Sequence, residues 1–289
     1  MINIAFPKFI TNSENCFMIN VSIVLYNTAF EEIERLVRIL RQASCVDTIY
    51  LVDNSAISNP EFMNLPVEYI FINQNIGYGA AHNIALRKSI ELQTDYHLVV
   101  NPDITFEPEI LSEIVEFMNK NTEIGHLMPK VFYPDGQIQY LCKLLPTPFD
   151  LIFRRFLPTR WTEKQTYKFE MRDSDYNKIM DVPYLSGCFM FLRINALKEV
   201  GLFDERFFMY PEDIDLTRRI HQKFRTVFYP EVSVVHHHAQ SSYKNYRMLW
   251  VHISNMIKYF NKWGWILDKE RIRINKNVLH KRGFFEPPA

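Results

Sequence analysis

The sequence predicts an α/β protein built on a mostly parallel sheet with helices on both faces, and three features point that way. An apolar run, Val21-Ser22-Ile23-Val24-Leu25-Tyr26, leads directly into Ile33, Leu36, Val37 and Leu40 at helical spacing, which predicts a strand followed by a helix over residues 30–43. Further strand-like runs at residues 48–52, 68–72 and 96–100 alternate with helical or loop segments, including a helix expected over residues 80–91. Parallel strands cannot be joined by a tight turn, so strand-helix alternation is their usual signature. Each of these runs also ends in a short polar turn. In an open sheet of this kind ligands sit beyond the carboxyl ends of the strands, so these turns are the first place to look for a site.

Composition limits the function classes. The 33 basic and 33 acidic residues cancel, leaving no overall field to attract nucleic acid. Cys16, Cys45, Cys142 and Cys188 lie far apart without a CxxC pair, which fits neither a zinc site nor a disulfide scaffold and points to a reducing cytoplasm. No run approaches the roughly 20 apolar residues that span a bilayer, and the first residues lack the basic start and apolar stretch of a signal peptide.

Along the chain, residues 1–20 read as an N-terminal extension and residues 21–243 as the main domain. Within that domain, residues 141–181 mix Lys143, Arg154, Arg155 and Arg160 with Phe149, Phe153, Phe156 and Trp161, as expected of a mobile, acceptor-side insertion. A strand at residues 184–192, a helix at 211–223 and two strands at 226–228 and 232–235 complete the domain. Residues 244–289 form a basic, aromatic, helical tail, with ten Lys or Arg from position 243 onward against three acidic residues. That bias suits peripheral contact with an anionic membrane, or equally a helix packed on the domain.

The polar turns supply the candidate residues: Asn27, then Asp53-Asn54-Ser55, then residues 73–79, then Asn101-Pro102-Asp103. A carboxylate such as Asp103 at a sheet edge is a hard oxygen ligand suited to Mg²⁺ or Mn²⁺, although an acid at this place can also simply close an Asx-turn. Asp53 follows the second strand, where an acid can accept hydrogen bonds from a ribose or a base; an ordinary turn aspartate is its rival. Gly77 and Gly79 precede a helix and would let backbone N–H groups approach a ligand, but the spacing is not GxGxxG. Glu212, Asp213 and Asp215 open a helix, where the macrodipole favours acids in any case. Asp215 has Arg218 and Arg219 at ion-pair spacing, which leaves Asp213 as the candidate general base. His236, His237 and His238 are consecutive on an extended segment, so at most two face one side.

Taken in order, VSIVLYN, VDNSA, NQNIGYGAAHN, NPDITF, LSGCFMFLR, GLFDERFFMYPEDIDLTRR and VVHHHAQSS strongly resemble glycosyltransferase family 2, and most closely its bacterial rhamnosyltransferase-like branch, over about residues 20–243. The resemblance implies a GT-A, Rossmann-like nucleotide-diphospho-sugar transferase fold, a dTDP- or UDP-linked sugar donor, a divalent metal (Mg²⁺ or Mn²⁺), and inverting transfer to a glycan or lipid-linked acceptor in cell-surface polysaccharide synthesis, with rhamnose a candidate sugar. Carried residue by residue, it gives nucleotide-sugar binding to Asn27, Asp53, Asn75, Gly77, Asn101, Asp103, Gly187 and Glu212. Metal binding falls to Asp103 and His236, with His237 the alternative histidine, and general-base catalysis to Asp213. Gly187 is expected to leave room for a sugar. Asn101-Pro102-Asp103 stands where many related enzymes carry Asp-x-Asp, so one carboxylate is missing from the metal site. The competing reading is a catalytically silent partner protein that retains the donor pocket.

Overall fold

The structure is a computed structural model describing residues 17–237 and 246–280. It opens on β1 (Ile19–Leu25), α1 (Phe30–Gln42), β2 (Val46–Asp53), β3 (Glu68–Phe71), α2 (Tyr78–Glu91), β4 (Tyr96–Val100), β5 (Ile104–Thr105) and α3 (Ile110–Lys120). After these come β6 (Ile124–Phe132), β7 (Cys142–Lys143), α4 (Pro148–Leu151), α5 (Thr159–Phe169), β8 (Met180–Asp181), β9 (Tyr184–Leu185), β10 (Phe189–Arg193) and α6 (Ile194–Val200). The chain continues through α7 (Glu212–His221), β11 (Arg225–His236), α8 (Tyr246–Trp263) and α9 (Lys269–His280).

The main sheet runs β3-β2-β1-β4-β10-β6-β11-β5, with β8 beside β11. β1, β2, β3 and β4 pair in parallel, and the central strands β1 and β4 are buried on both faces, whereas β3 at the sheet margin is partly exposed. β10 is antiparallel to both neighbours and separates β4 from β6, a direction that its apolar run does not encode. The two strands expected at 226–228 and 232–235 are one long β11, whose pairing with β6 shifts register between Tyr229 and Ser233. Pro230 lies in that interval and has no N–H for the ladder, so a bulge there keeps the strand continuous.

Below the β1–β4 sheet, α1 and α3 bury Ile33, Leu36, Leu111 and Ile114 in the largest core. Above it, α6 and α7 pack Leu197, Leu216 and Ile220 on Met190 and Leu192. Between α2 and the sheet lies a fully buried polar ladder: Asn20 Nδ2 donates to Ser89 Oγ at 3.0 Å, Ser89 Oγ meets His97 Nδ1 at 2.7 Å, and Ser22 Oγ bridges His97 Nε2 at 2.8 Å and His82 Nδ1 at 2.7 Å. Burial pushes the imidazoles of His82 and His97 below the ordinary histidine value, His97 to about 3.

Residues 141–181 fold into short elements, and these share a core with the C-terminal helices: Leu145, Phe169 and Met171 cluster with Met256, Tyr259, Phe260, Ile274 and Val278. Asn275 holds the Leu145 backbone from both sides, accepting from its N–H at 2.9 Å and donating to its carbonyl at 2.8 Å. The expected limit at residue 20 falls inside β1, and the limit at 243 lies outside the described residues.

Arg218 departs from the ion pair that helical spacing predicts. Asp215 does pair with Arg219, at 2.8 Å, but Arg218 reaches away to Asp268, with N–O distances of 2.7 and 2.8 Å. Both ends are almost wholly buried, at 1% and 3% exposure, and the guanidinium stacks on Trp263 with 4.0 Å to the ring centroid. Removing one member of such a pair leaves the other charged and unsatisfied. Arg218→Met should therefore lower stability by about 3–5 kcal/mol, read as a lower urea midpoint with an unchanged m-value.

Candidate active site

The polar turns predicted from sequence are laced together at one sheet edge. Asn27, in the left-handed region at φ 52°, donates its N–H to Ser55 Oγ at 2.8 Å. Asp53 accepts from the Ser55 N–H at 2.9 Å and from the Tyr69 hydroxyl at 2.7 Å, so its carboxylate first of all fixes the turn after β2. Four lone-pair positions on a carboxylate still leave acceptor capacity for a ligand. Asn54 Nδ2 donates to the Gly77 carbonyl at 3.2 Å, and Asn75 Oδ1 accepts from the Gly77 N–H at 3.1 Å. Gly77 is required by its surroundings: its φ is +94°, and a Cβ would lie 2.5 Å from the Phe208 carbonyl oxygen.

The next turn brings in the far half of the chain. Tyr78, the first residue of α2, donates its hydroxyl to the Gly187 carbonyl at 2.8 Å and lies 3.1 Å from Asn101 Oδ1. The Asn101 N–H in turn donates to the Cys188 carbonyl at 2.9 Å. On its other side the Gly187 N–H donates to Asp213 Oδ2 at 2.9 Å, while the Ile214 N–H donates to Oδ1 at 2.7 Å. One phenol thus connects the Asn101-Pro102-Asp103 turn to the backbone that holds Asp213, two acidic positions 110 residues apart in sequence. A Cβ at Gly187 would lie 3.2 Å from Asp213 Cβ and 3.4 Å from its Oδ2, a contact tight enough that Asp213 would have to give by a few tenths of an ångström.

Burial pushes the Asp213 carboxyl up to about 6, against the pull of the Gly187 and Ile214 N–H groups and of Lys143. Burial and the charge of Asp213 also raise the Glu212 carboxyl well above its ordinary value, and its Oε2 has no hydrogen-bond partner. Burial likewise raises the Cys188 thiol, to about 12.

His236 closes the other end of the site. Gln139 donates Nε2 to the His236 carbonyl at 3.0 Å, which leaves its Oε1 facing His236 Nδ1 at 2.9 Å. His236 Nε2 lies 3.3 Å from Asp103 Oδ1, close enough for the two to share a proton or a cation. His237 lies on the opposite side of the strand, exposed, with Nε2 3.0 Å from Thr105 Oγ1, which separates the roles of the two histidines. His238 lies outside the described residues. Among the described residues no three His, Cys, Asp or Glu side chains gather at one point.

Tyr78, Gln139 and Lys143 are absent from the sequence-based site. Tyr78 lies in the 73–79 turn without a role of its own in the sequence, Gln139 acts on a histidine 97 positions away, and Lys143 stands on a two-residue strand paired with β9, where it faces the Tyr184 ring at 5.3 Å.

A sheet of this topology, with an acid-histidine pair at one end of its edge and a buried acid held by backbone N–H groups at the other, is a GT-A fold. The chain belongs to the family described as glycosyltransferase like family 2, whose pattern matches residues 23–257. It is similar to the N-acetylglucosaminyl-diphospho-decaprenol L-rhamnosyltransferase of Mycobacterium tuberculosis, at 29% identity over 182 residues, and the match spans 58% of each chain. It is also similar to rhamnosyltransferase WbbL of Escherichia coli, at 26% identity over 221 residues, 73% of this chain and 77% of that one. Among solved structures, GalNAc-T7 with UDP, GalNAc and Mn²⁺ shares the fold at a TM-score of 0.61 and 15% identity, over 85% of this chain and 48% of that one.

Gly187→Ala should leave the fold intact and displace Asp213, because the new methyl must push the carboxylate off its backbone donor. Turnover in sugar transfer is expected to fall about 10²-fold, with the donor-induced thermal shift retained.

Proposed function

We propose that this chain transfers a hexose, with rhamnose the first candidate, from a dTDP- or UDP-linked donor to a hydroxyl of a lipid-linked glycan acceptor, with inversion at the anomeric carbon. The observation that carries this reading is the Tyr78 bridge, which joins a cation-ready Asp103–His236 pair to a carboxyl poised to take a proton near neutrality. The decaprenol-linked acceptor named for the mycobacterial relative supports a lipid-linked acceptor here.

Asp103 Oδ1 and His236 Nε2, 3.3 Å apart, are the atoms that would hold Mg²⁺ or Mn²⁺. Bound there, the metal would supply charge neutralisation for the departing diphosphate. Asn27, Asn75 and the Gly77 backbone line the same edge and would hold the nucleotide, and Asn101, beside Tyr78, would keep Asp103 at the phosphate end. Asp213 accepts the acceptor hydroxyl proton as that oxygen bonds to the anomeric carbon. The bond from that carbon to the diphosphate breaks, and the nucleoside diphosphate leaves with its electron pair. A base that approaches from the acceptor side requires attack opposite the leaving group, hence inversion.

Asp213→Asn should lower turnover by about 10²- to 10⁴-fold while a donor with Mn²⁺ still raises the melting temperature. An unchanged rate would remove Asp213 as the base. In the wild-type enzyme kcat/KM should rise with pH through about 6 and then level, because only the ionised carboxylate accepts a proton. Donor stabilisation should vanish with a chelator and in Asp103→Asn and His236→Ala; a donor-induced shift that survives all three would exclude the metal site.

A further inference from the structure

The turn between α8 and α9 displays Ile266 and Leu267 at 80% and 86% exposure, side by side at the tip of a rigid support. Asp268, paired with Arg218, accepts the Arg271 N–H at 2.9 Å, and the buried Arg271 guanidinium donates to the Trp265 and Ile266 carbonyls at 3.3 Å each. Trp265 is anchored by its Nε1, which donates to Asn261 Oδ1 at 2.8 Å, and by contact with Phe260. The two aliphatic side chains are therefore held in water by a braced backbone.

The adjoining face of α9 continues this surface. Lys269, Ile272, Arg273 and Lys276 fall at i, i+3, i+4 and i+7, and all four are exposed. The only acid in this helix, Glu270, is turned inward, accepting from Arg218 at 3.2 Å and from Gln222 at 2.7 Å. The result is an aliphatic tip beside a cationic stripe free of carboxylates. Among the described residues no helix is long and apolar enough to cross a membrane, so any bilayer contact made by this face lies in the interface.

We propose that this face docks the protein on an anionic lipid bilayer, with Ile266 and Leu267 inserted among the acyl chains and Lys269, Arg273 and Lys276 on the lipid phosphates. It rests on the lipid-linked acceptor proposed above and supplies the surface on which that acceptor is met. Charge favours lipid over a second copy of the chain, because an identical cationic stripe would face its own kind. So does size, since a few side chains fall far short of the ~800 Å² per partner of a specific interface. The bridge from Asp268 to Arg218 ties the tip to α7, the helix that carries Asp213, so docking would also fix how the base faces the membrane.

The test is flotation of the full chain with vesicles of phosphatidylcholine alone and with added phosphatidylglycerol, at low and high salt. The wild type should float only with the anionic vesicles at low salt. Ile266→Ser combined with Leu267→Ser, and separately Lys269→Gln with Arg273→Gln and Lys276→Gln, should each reduce binding by about 10-fold or more. Both should keep the donor-induced thermal shift, which shows that they are folded. Flotation needs no turnover, so a chain that floats without transferring sugar would refute the enzymatic reading and leave the docking surface standing. A wild type that stays with the soluble fraction, variants that float as well as it does, or a dimer that the serine variant dissociates would overturn the proposal.

Discussion

The site depends on how closely the first turn of α7 can press against Gly187. A side chain at that position would collide with Asp213, and without the contact the acid would lose the N–H that offsets part of its desolvation. The same approach sets Glu212 against the glycine at the start of α2, where a Cβ on Gly79 would lie 3.4 Å from Glu212 Cβ. Gly77 completes the arrangement by accepting the Phe208 carbonyl against its backbone. Three glycines thus let a distant segment, residues 203–213, close over a sheet edge already folded by the first half of the chain. The cost is an acid pair desolvated together, which raises both carboxyls above their ordinary values, Asp213 to about 6.

What was legible in the sequence was local. The strand ends announce their own turns, so Asn27, Asp53, Asn75 and Asn101 fall at one edge as the alternation of apolar runs and helices implies. The family pattern supplied Asp103, Asp213 and His236. What stayed hidden was pairing across the chain. Helical spacing assigns Arg218 to Asp215, and nothing in the sequence signals Asp268, 50 residues on. Nor does any strand period reveal the hydrogen bond from His236 to the amide of Gln139, 97 positions away. Residues 141–181 read as an insertion on composition, whereas their apolar side chains meet α8 and α9 in a shared core. An apolar run also predicts a buried strand without its direction, which is why antiparallel β10 was not foreseen.

The two halves of the chain meet through a few polar contacts, and Tyr78 is the most economical of them. It is enclosed by His82 and Phe203 in edge-on ring contacts, so its hydroxyl has little freedom and points where Gly187 and Asn101 require it. His82, in turn, is the last member of the buried ladder that runs back to Ser22 and His97. The orientation of a residue at the sheet edge is therefore inherited from hydrogen bonds inside the core.

That ladder also limits the acidity the fold can withstand. His82 and His97 are neutral in the folded protein and resist protonation, whereas in the unfolded chain they would take up protons near the ordinary histidine value of about 6.5. As the medium becomes more acidic than that, the unfolded state binds more protons and the native state loses ground. Asp213 gives up its negative charge in almost the same interval. With Asp213 as the proposed base, activity declines over the same range in which the two neutral imidazoles begin to weigh against the fold.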